Sequence, residues 1–148
     1  MIDRALYERK KTLQRARNAL RKLKGAETLE ADCLPELDGI FGRLRELGFC
    51  SNDRPPDNAL PCGSSDTDIA EWISICINAE TGAEYYLLYE NIAFKIRISE
   101  PSAAVMSLWS AYGNCKGITL VSIDKTKVYD LGCDSRDENN YLFDKYLL

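Results

Sequence analysis

The chain has 148 residues, 45% hydrophobic and 28% charged, a composition that is ordinary for a globular protein and excludes extensive disorder. This length suits one domain whose core needs neither disulfides nor metals, and no apolar run reaches the roughly 18 residues of a membrane-spanning helix. The N-terminus is basic but has no apolar stretch behind it. Because a secretory signal needs both, we predict a cytoplasmic protein.

Charge is distributed unevenly along the sequence. Residues 1–24 contain nine lysines or arginines and two acids, a balance of +7, whereas the rest of the chain has a balance of −11. The modest total of −4 therefore hides a dipolar molecule. Such asymmetry points to nucleic acid or a charged protein as the partner.

The first fifty residues predict a helical hairpin. Apolar residues at helical spacing from Ile2 to Leu23 predict a first helix that ends at Gly25. Its leucine heptads would allow a weak dimer, but they span only three repeats, which favours packing against a second helix of the same chain. That second helix is predicted from Pro35 to Gly48 because proline suits the first helical turn. A monomer or a weak dimer is compatible with this pattern.

The centre of the chain predicts strands. Residues 51–68 contain three of the five prolines and predict a connecting loop. The β-branched and aromatic runs Trp72–Asn78 and Tyr85–Ile98, the second divided by a turn at Glu90, predict a three-strand meander. In the last of these strands, large apolar residues alternate with charged ones from Ile92 onward. One of its faces is therefore predicted to be buried and the other wet.

The C-terminal third predicts a helix from Pro101, a hairpin of strands Gly117–Ile123 and Lys127–Leu131, an acidic loop, and a closing helix Tyr141–Leu148. The expected fold class is α+β: an N-terminal helical hairpin (1–50), a connecting loop (51–68) and a mainly antiparallel five-stranded sheet with packed helices (69–148), all in a single domain.

The residue types restrict the chemistry. The chain has no histidine, which excludes Ser-His-Asp and Cys-His catalysis and most zinc hydrolase sites. Its six cysteines lack close pairs, so we predict free thiols, although an even count leaves disulfides open in an oxidising compartment. The acids at Asp66, Asp68, Asp134 and Asp137 follow no known calcium-ligand spacing. We therefore predict a non-enzymatic protein with no catalytic, cofactor or metal site.

The basic first segment raises the alternative of a small nucleic-acid-associated protein. Side chains such as Arg4, Lys11, Arg15 and Lys22 could lie against phosphates. The acidic remainder, with a pI near 5.0, argues against nucleic acid, as does the lack of a recognisable nucleic-acid-binding signature. The same bases could instead pair with the acidic body of the molecule.

A compact acidic domain without catalytic residues is what an inhibitor of a basic protein would look like, since complementary charge steers association. In length, charge and an α+β layout ending in Gly117–Asp124 and Tyr141–Asp144, the chain resembles the bacterial immunity proteins of polymorphic toxin and contact-dependent growth inhibition systems. The resemblance implies a cytoplasmic protein, without membrane association, that binds and neutralises a cognate toxin domain. Such toxins are frequently nucleases.

An inhibitor of this kind needs exposed acids beside aromatic anchors, because buried aromatic residues usually carry most of the affinity at an interface. Two groups of residues satisfy this description, and for each residue ordinary surface or core is the alternative. The predicted partner-binding residues are Asp130, Asp134, Asp137, Glu138 and Tyr141 near the C-terminus, with Glu84, Tyr86 and Glu90 as a second patch.

Overall fold

A computed structural model of the protein describes residues 3–33, 37, 39, 40, 42, 43, 46, 55–90, 92–111 and 117–148. The helices are α1 (Arg4–Leu20), α2 (Asp66–Ile77) and α3 (Pro101–Trp109). The strands are β1 (Ala26–Ala31), β2 (Asn58–Pro61), β3 (Glu84–Tyr89), β4 (Ile92–Ile98), β5 (Gly117–Ser122), β6 (Lys127–Asp134) and β7 (Asp137–Leu147).

The strands of the described chain form one antiparallel sheet of seven strands, in the order β1-β4-β3-β5-β6-β7-β2. The predicted α+β class with an antiparallel sheet therefore holds, but the predicted number of five strands is wrong. Four of the five predicted strands are present, and three strands were not predicted: β7, and β1 and β2, which form the edges of the sheet. All three lie in segments whose composition predicted a helix or a loop.

Each face of the sheet is buried by a different part of the chain. On one face, side chains of α1, α2 and α3 share a core with the strands, and β4 contributes its alternate apolar residues from Ile92 to Ile98, as predicted. On the opposite face, Leu37 and Ile40 join a second cluster that includes Tyr86 and Val121. The sheet is therefore the middle layer of the molecule.

The predicted N-terminal helical hairpin is wrong. After α1 the chain turns at Gly25 and enters β1, so α1 packs on the sheet through Ala16 and Leu20. The described residues between 37 and 46 have helical backbone, but their buried side chains lie against the opposite face of the sheet. The rest of the predicted second helix lies outside the described residues. The leucine heptad also fails as a packing stripe, because Leu6 is 50% exposed.

The predicted strand Trp72–Asn78 is part of helix α2. Ser65 caps the helix by accepting a hydrogen bond from the Asp68 N–H at 3.2 Å, and acids occupy the first turn, where they favour the helix dipole. Asn78 ends the helix with a left-handed φ of 53°. The buried residues of this helix recur at helical spacing: Ile69, Trp72, Ile73 and Ile77.

The predicted acidic loop and closing helix are replaced by a β-hairpin. Strand β6 continues to Asp134, and β7 runs to Leu147 as the longest strand. Pairing decides this outcome, since β7 lies between β6 and β2 and forms backbone ladders with both. The predicted connection 51–68 likewise contains β2 and the start of α2, while residues 51–54 lie outside the described chain.

Two further sequence predictions can be compared with the structure. Of the six cysteines, Cys62, Cys76 and Cys133 are free thiols, as predicted, and Cys33 forms no disulfide with another described cysteine. Cys50 and Cys115 lie outside the described residues. Among the helices of the described chain, none has both the length and the apolar character needed to cross a membrane.

Candidate functional site

The turn between β6 and β7 gathers acidic side chains around a shallow cavity of about 360 Å³. Asp134, Asp137 and Glu138 line it together with Cys62, Cys133 and Asn140. The Asn140 amide donates to Asp137 Oδ2 at 2.8 Å and lowers the pKa of that carboxyl below its ordinary value. Hydrogen bonding thus stabilises the charged form of Asp137.

Arg136 fixes the shape of this turn from inside. Its guanidinium donates to Asp134 Oδ2 at 2.8 Å and forms a bidentate ion pair with Asp144 on β7. The side chains of Arg136 and Asp144 are only 8% and 3% exposed. The bonds from Arg136 also lower the pKa of Asp134. Because a group this buried cannot contact a large substrate, we interpret the pair as a clamp that orients the hairpin.

Asp130 lies beside the clamp, directly opposite Asp144 on the neighbouring strand. Its Oδ1 accepts a hydrogen bond from the Thr119 hydroxyl at 2.9 Å. Burial raises the pKa of Asp130 to about 6, and the nearby charges of Asp144 and Asp134 act in the same direction. A charged carboxylate is unfavourable at this buried position, so the ionisation of Asp130 destabilises the folded state.

We therefore expect Asp130→Asn to stabilise the protein near neutral pH. The folded-state pKa of about 6 lies above the unfolded value of about 3.9, so stability falls as pH rises between about 4 and 6. The amide removes this penalty and still accepts from Thr119, so the free energy of unfolding should rise by about 1–2 kcal/mol at pH 7 and change little at pH 4. Urea unfolding of the wild type and the variant at both pH values measures this change in the free energy of unfolding. A variant destabilised equally at pH 4 and pH 7 would contradict the prediction.

The structure brings together only part of the predicted C-terminal patch. Asp134, Asp137 and Glu138 share the hairpin cavity, whereas Asp130 is partly buried beside the clamp. Tyr141 packs against Trp109 with ring centroids 4.9 Å apart, in an edge-to-face arrangement within the helix-covered core. Tyr141 is half-buried within the folded protein, so its ring contributes to the packing of the core.

The predicted second patch is not a continuous surface. Tyr86 is 5% exposed and belongs to the core of the opposite face. Glu84 is the first residue of β3 and Glu90 follows its last residue. Each faces an arginine: Glu84 lies 3.7 Å from Arg97, and Glu90 lies 3.2 Å from Arg15. The latter pair, and the ion pair of Arg9 with Asp32, show that part of the basic α1 is neutralised by the body.

Helix α2 supplies surface residues that the sequence prediction missed. Asp68, Glu71 and Ile75 are all exposed and recur three and four residues apart, so they form one stripe on the outer side of the helix. Ile75 is 70% exposed, which is unusual for an isoleucine in a packed helix. The capping pattern Ser65-Asp66-Thr67-Asp68 was the available signal, because it marks the start of a helix and hence the spacing of its faces.

The first turn of α2 lies near the β6–β7 hairpin. The backbone N–H of Cys62 donates to the Asn139 carbonyl at 3.0 Å, and Cys62 and Asp66 are four residues apart. Four residues span at most about 14 Å, so the start of α2 lies close to the hairpin. We call the two acidic groups together the acidic face; it comprises Asp66, Asp68, Glu71, Asp134, Asp137 and Glu138.

Most of the acidic face is not neutralised by the protein itself. Apart from Asp134, its members form no ion pair with any described residue. The described residues also contain no group of three or more cysteines and acids arranged to hold a metal ion. Comparison with protein-family models, curated proteins and solved structures finds no match to this chain.

Proposed function

We propose that the protein is an immunity-type inhibitor that binds a basic toxin domain through the acidic face. The observation that carries this proposal is the pair of acidic groups, three carboxylates around the hairpin cavity and the exposed carboxylates of α2, the latter on the stripe that ends in the exposed Ile75. Unpaired charge of one sign attracts a partner of the opposite sign and accelerates association. A nuclease toxin domain would present such a basic surface.

The acidic face also has the layout of an interface. A stable complex buries about 800 Å² on each partner, with an apolar anchor surrounded by polar residues. Ile75 is the candidate anchor, and Asp68 and Glu71 precede it on the same helical stripe. Beside this stripe, a cavity of about 540 Å³ between α2 and α3 has Asp66 and Glu71 at its wall and Ala70 and Met106 in its lining. An arginine or lysine of the partner would place its charge on the acids and its methylenes on the apolar residues.

The clamp makes the surface rigid before binding. Because Arg136 connects the turn to Asp144 in the interior, the carboxylates of Asp134 and Asp137 keep their positions without a partner. Preorganised groups lose less conformational entropy on association. Inhibition would then follow from covering a basic active-site surface, and the inhibitor would need no chemistry of its own.

Differential capture tests this proposal. Immobilised wild-type protein, an acidic-face variant (Asp68→Lys, Glu71→Lys, Glu138→Lys) and a control variant (Glu8→Lys, Glu30→Lys, Glu80→Lys) would be exposed to extract from the source cells. All six positions are exposed, and both variants change the net charge equally. We expect one basic protein to be retained by the wild type and the control but not by the acidic-face variant. Retention should fall at high salt.

Two outcomes would contradict the proposal. Equal retention of the same protein by both triple variants would show that the acidic face is not the docking surface. Retention of an acidic protein, or of nucleic acid, would exclude a basic toxin as the partner. In the second case the nucleic-acid alternative, with the basic α1 as the binding element, would gain support.

A further inference from the structure

A groove on the opposite edge of the sheet lies between β1 and the C-terminal half of α1. It has a volume of about 330 Å³ and is lined by Arg17, Leu20, Arg21, Thr28, Ala31 and Phe94. Leu20 and Phe94 belong to the core and provide an apolar floor. Thr28 and Ala31 are small for an edge strand beside a helix, so they leave the groove open.

The edge of β1 offers hydrogen-bonding groups to this groove. Within the described chain, β1 pairs only with β4. The Gly25 carbonyl accepts from the N–H groups of Ser99 at 2.8 Å and Glu100 at 2.9 Å, so it faces away from the open edge. Since backbone groups alternate along a strand, those of Ala26 and Thr28 are directed to the open edge.

The groove carries positive charge, which comes from two arginines at its wall. Arg17 and Arg21 lie one helical turn apart on α1, and neither forms an ion pair with a described residue. Arg9 and Arg15, farther toward the N-terminus, are instead paired with acids of the body. A second copy of the chain docked edge to edge would bring two basic helices together. The groove therefore favours an acidic occupant.

We propose that this groove binds an extended acidic segment of a partner protein, which adds to the sheet as an eighth strand beside β1. Such β-augmentation takes affinity from backbone hydrogen bonds and specificity from alternate side chains. An apolar side chain covers Leu20 and Phe94, and carboxylates on either side reach Arg17 and Arg21. On the other face, Glu27 is already paired with Arg97 and Glu30 lies opposite Lys95 in the register, so the segment needs carboxylates only on the face toward α1.

Fluorescence polarisation with a labelled acidic peptide, Thr-Glu-Thr-Val-Thr-Glu-Thr, tests the proposal. This peptide places valine and both glutamates on one face and threonines on the other. We expect saturable binding that weakens about tenfold or more in the double variant Arg17→Glu, Arg21→Glu, since charge-assisted hydrogen bonds are lost. The matched variant Arg4→Glu, Lys10→Glu changes the same helix by the same charge, farther from the groove, and should bind almost normally.

Two modified peptides separate strand addition from simple charge attraction. Thr-Thr-Glu-Val-Glu-Thr-Thr has the same composition and charge with the glutamates moved to the other face, and an N-methylated form of the first peptide lacks alternate backbone donors. Both should bind at least about tenfold more weakly. No saturable binding of the first peptide up to millimolar concentration would overturn the proposal, as would equal binding of either modified peptide. A labelled single-stranded oligonucleotide that bound instead, with the same dependence on Arg17 and Arg21, would assign the groove to nucleic acid.

Discussion

Replacing Arg136 by methionine should lower the free energy of unfolding by about 3–5 kcal/mol, because it leaves the carboxylate of Asp144 buried without its counter-charge. Asp144 is 2% exposed, so water cannot replace the lost bonds. The same change frees the turn that carries Asp134, so binding through the acidic face should weaken as well. Urea unfolding monitored by tryptophan fluorescence measures the first effect.

Two further variants isolate the cause. Arg136→Met combined with Asp144→Leu removes both charges and should recover much of the stability, since paired apolar replacements of a buried ion pair are often tolerated. Arg97→Met breaks the exposed ion pairs of Arg97 with Glu27 and Glu84. The three side chains are 46%, 59% and 33% exposed, so the change should cost less than about 1 kcal/mol. Equal effects of Arg136→Met and Arg97→Met would show that the clamp is not needed for stability.

Gly25→Ala should destabilise the protein by about 2–5 kcal/mol, through backbone strain and overpacking together. Gly25 has a φ of 75°, and an added Cβ would lie 2.4 Å from the Glu100 carbonyl oxygen and 2.7 Å from the Ala104 nitrogen. Both obstacles are backbone atoms at the start of α3, so relief requires a shift of that helix. Thermal and urea unfolding would measure the loss.

Gly82→Ala is the matched control for this prediction. Gly82 also has a positive φ, 88°, but no atom lies within 4 Å of an added Cβ, so only the conformational penalty of about 1–2 kcal/mol remains. The difference between the two variants therefore measures the steric contact of the α1–β1 turn with α3. If Gly82→Ala were as damaging as Gly25→Ala, that contact would have no energetic role.

Local sequence patterns predicted a strand or helix correctly where the burial of one of its faces determines its structure. The alternation from Ile92 to Ile98 predicted β4 and its buried face, and Pro101 marked the start of α3. For Trp72–Asn78, β-branched content predicted a strand, whereas the capping sequence at Ser65 and the helical spacing of the apolar residues indicate the helix that forms. Because β-propensity depends strongly on context, the cap was the better signal.

Other elements depend on partners that are distant in sequence. The run Ala26-Glu-Thr-Leu-Glu-Ala31 contains good helix formers, yet it is a strand because its backbone pairs with β4. The segment after Asn140 fits both helical and strand periods, and pairing with β6 and β2 makes it a strand. These pairings are non-local, so composition alone cannot predict them.

The sequence likewise predicted only part of the candidate site. Acid content identified Asp134, Asp137 and Glu138, since clustered charges lie at surfaces whatever the local structure. The contribution of α2 was missed because its helix was predicted as a strand, and the stripe Asp68, Glu71 and Ile75 exists only at helical spacing. The role of Arg136 could not be predicted, because its partner Asp144 was assigned to a helix.

The most direct measurement of the proposed function is the growth of cells that express the captured basic protein alone or together with this chain. We predict that the partner arrests growth, that wild-type protein and the Glu8, Glu30, Glu80 control variant restore it, and that the acidic-face variant, confirmed as folded, does not. A partner that is harmless when expressed alone, or equal protection by the acidic-face variant, would contradict the account.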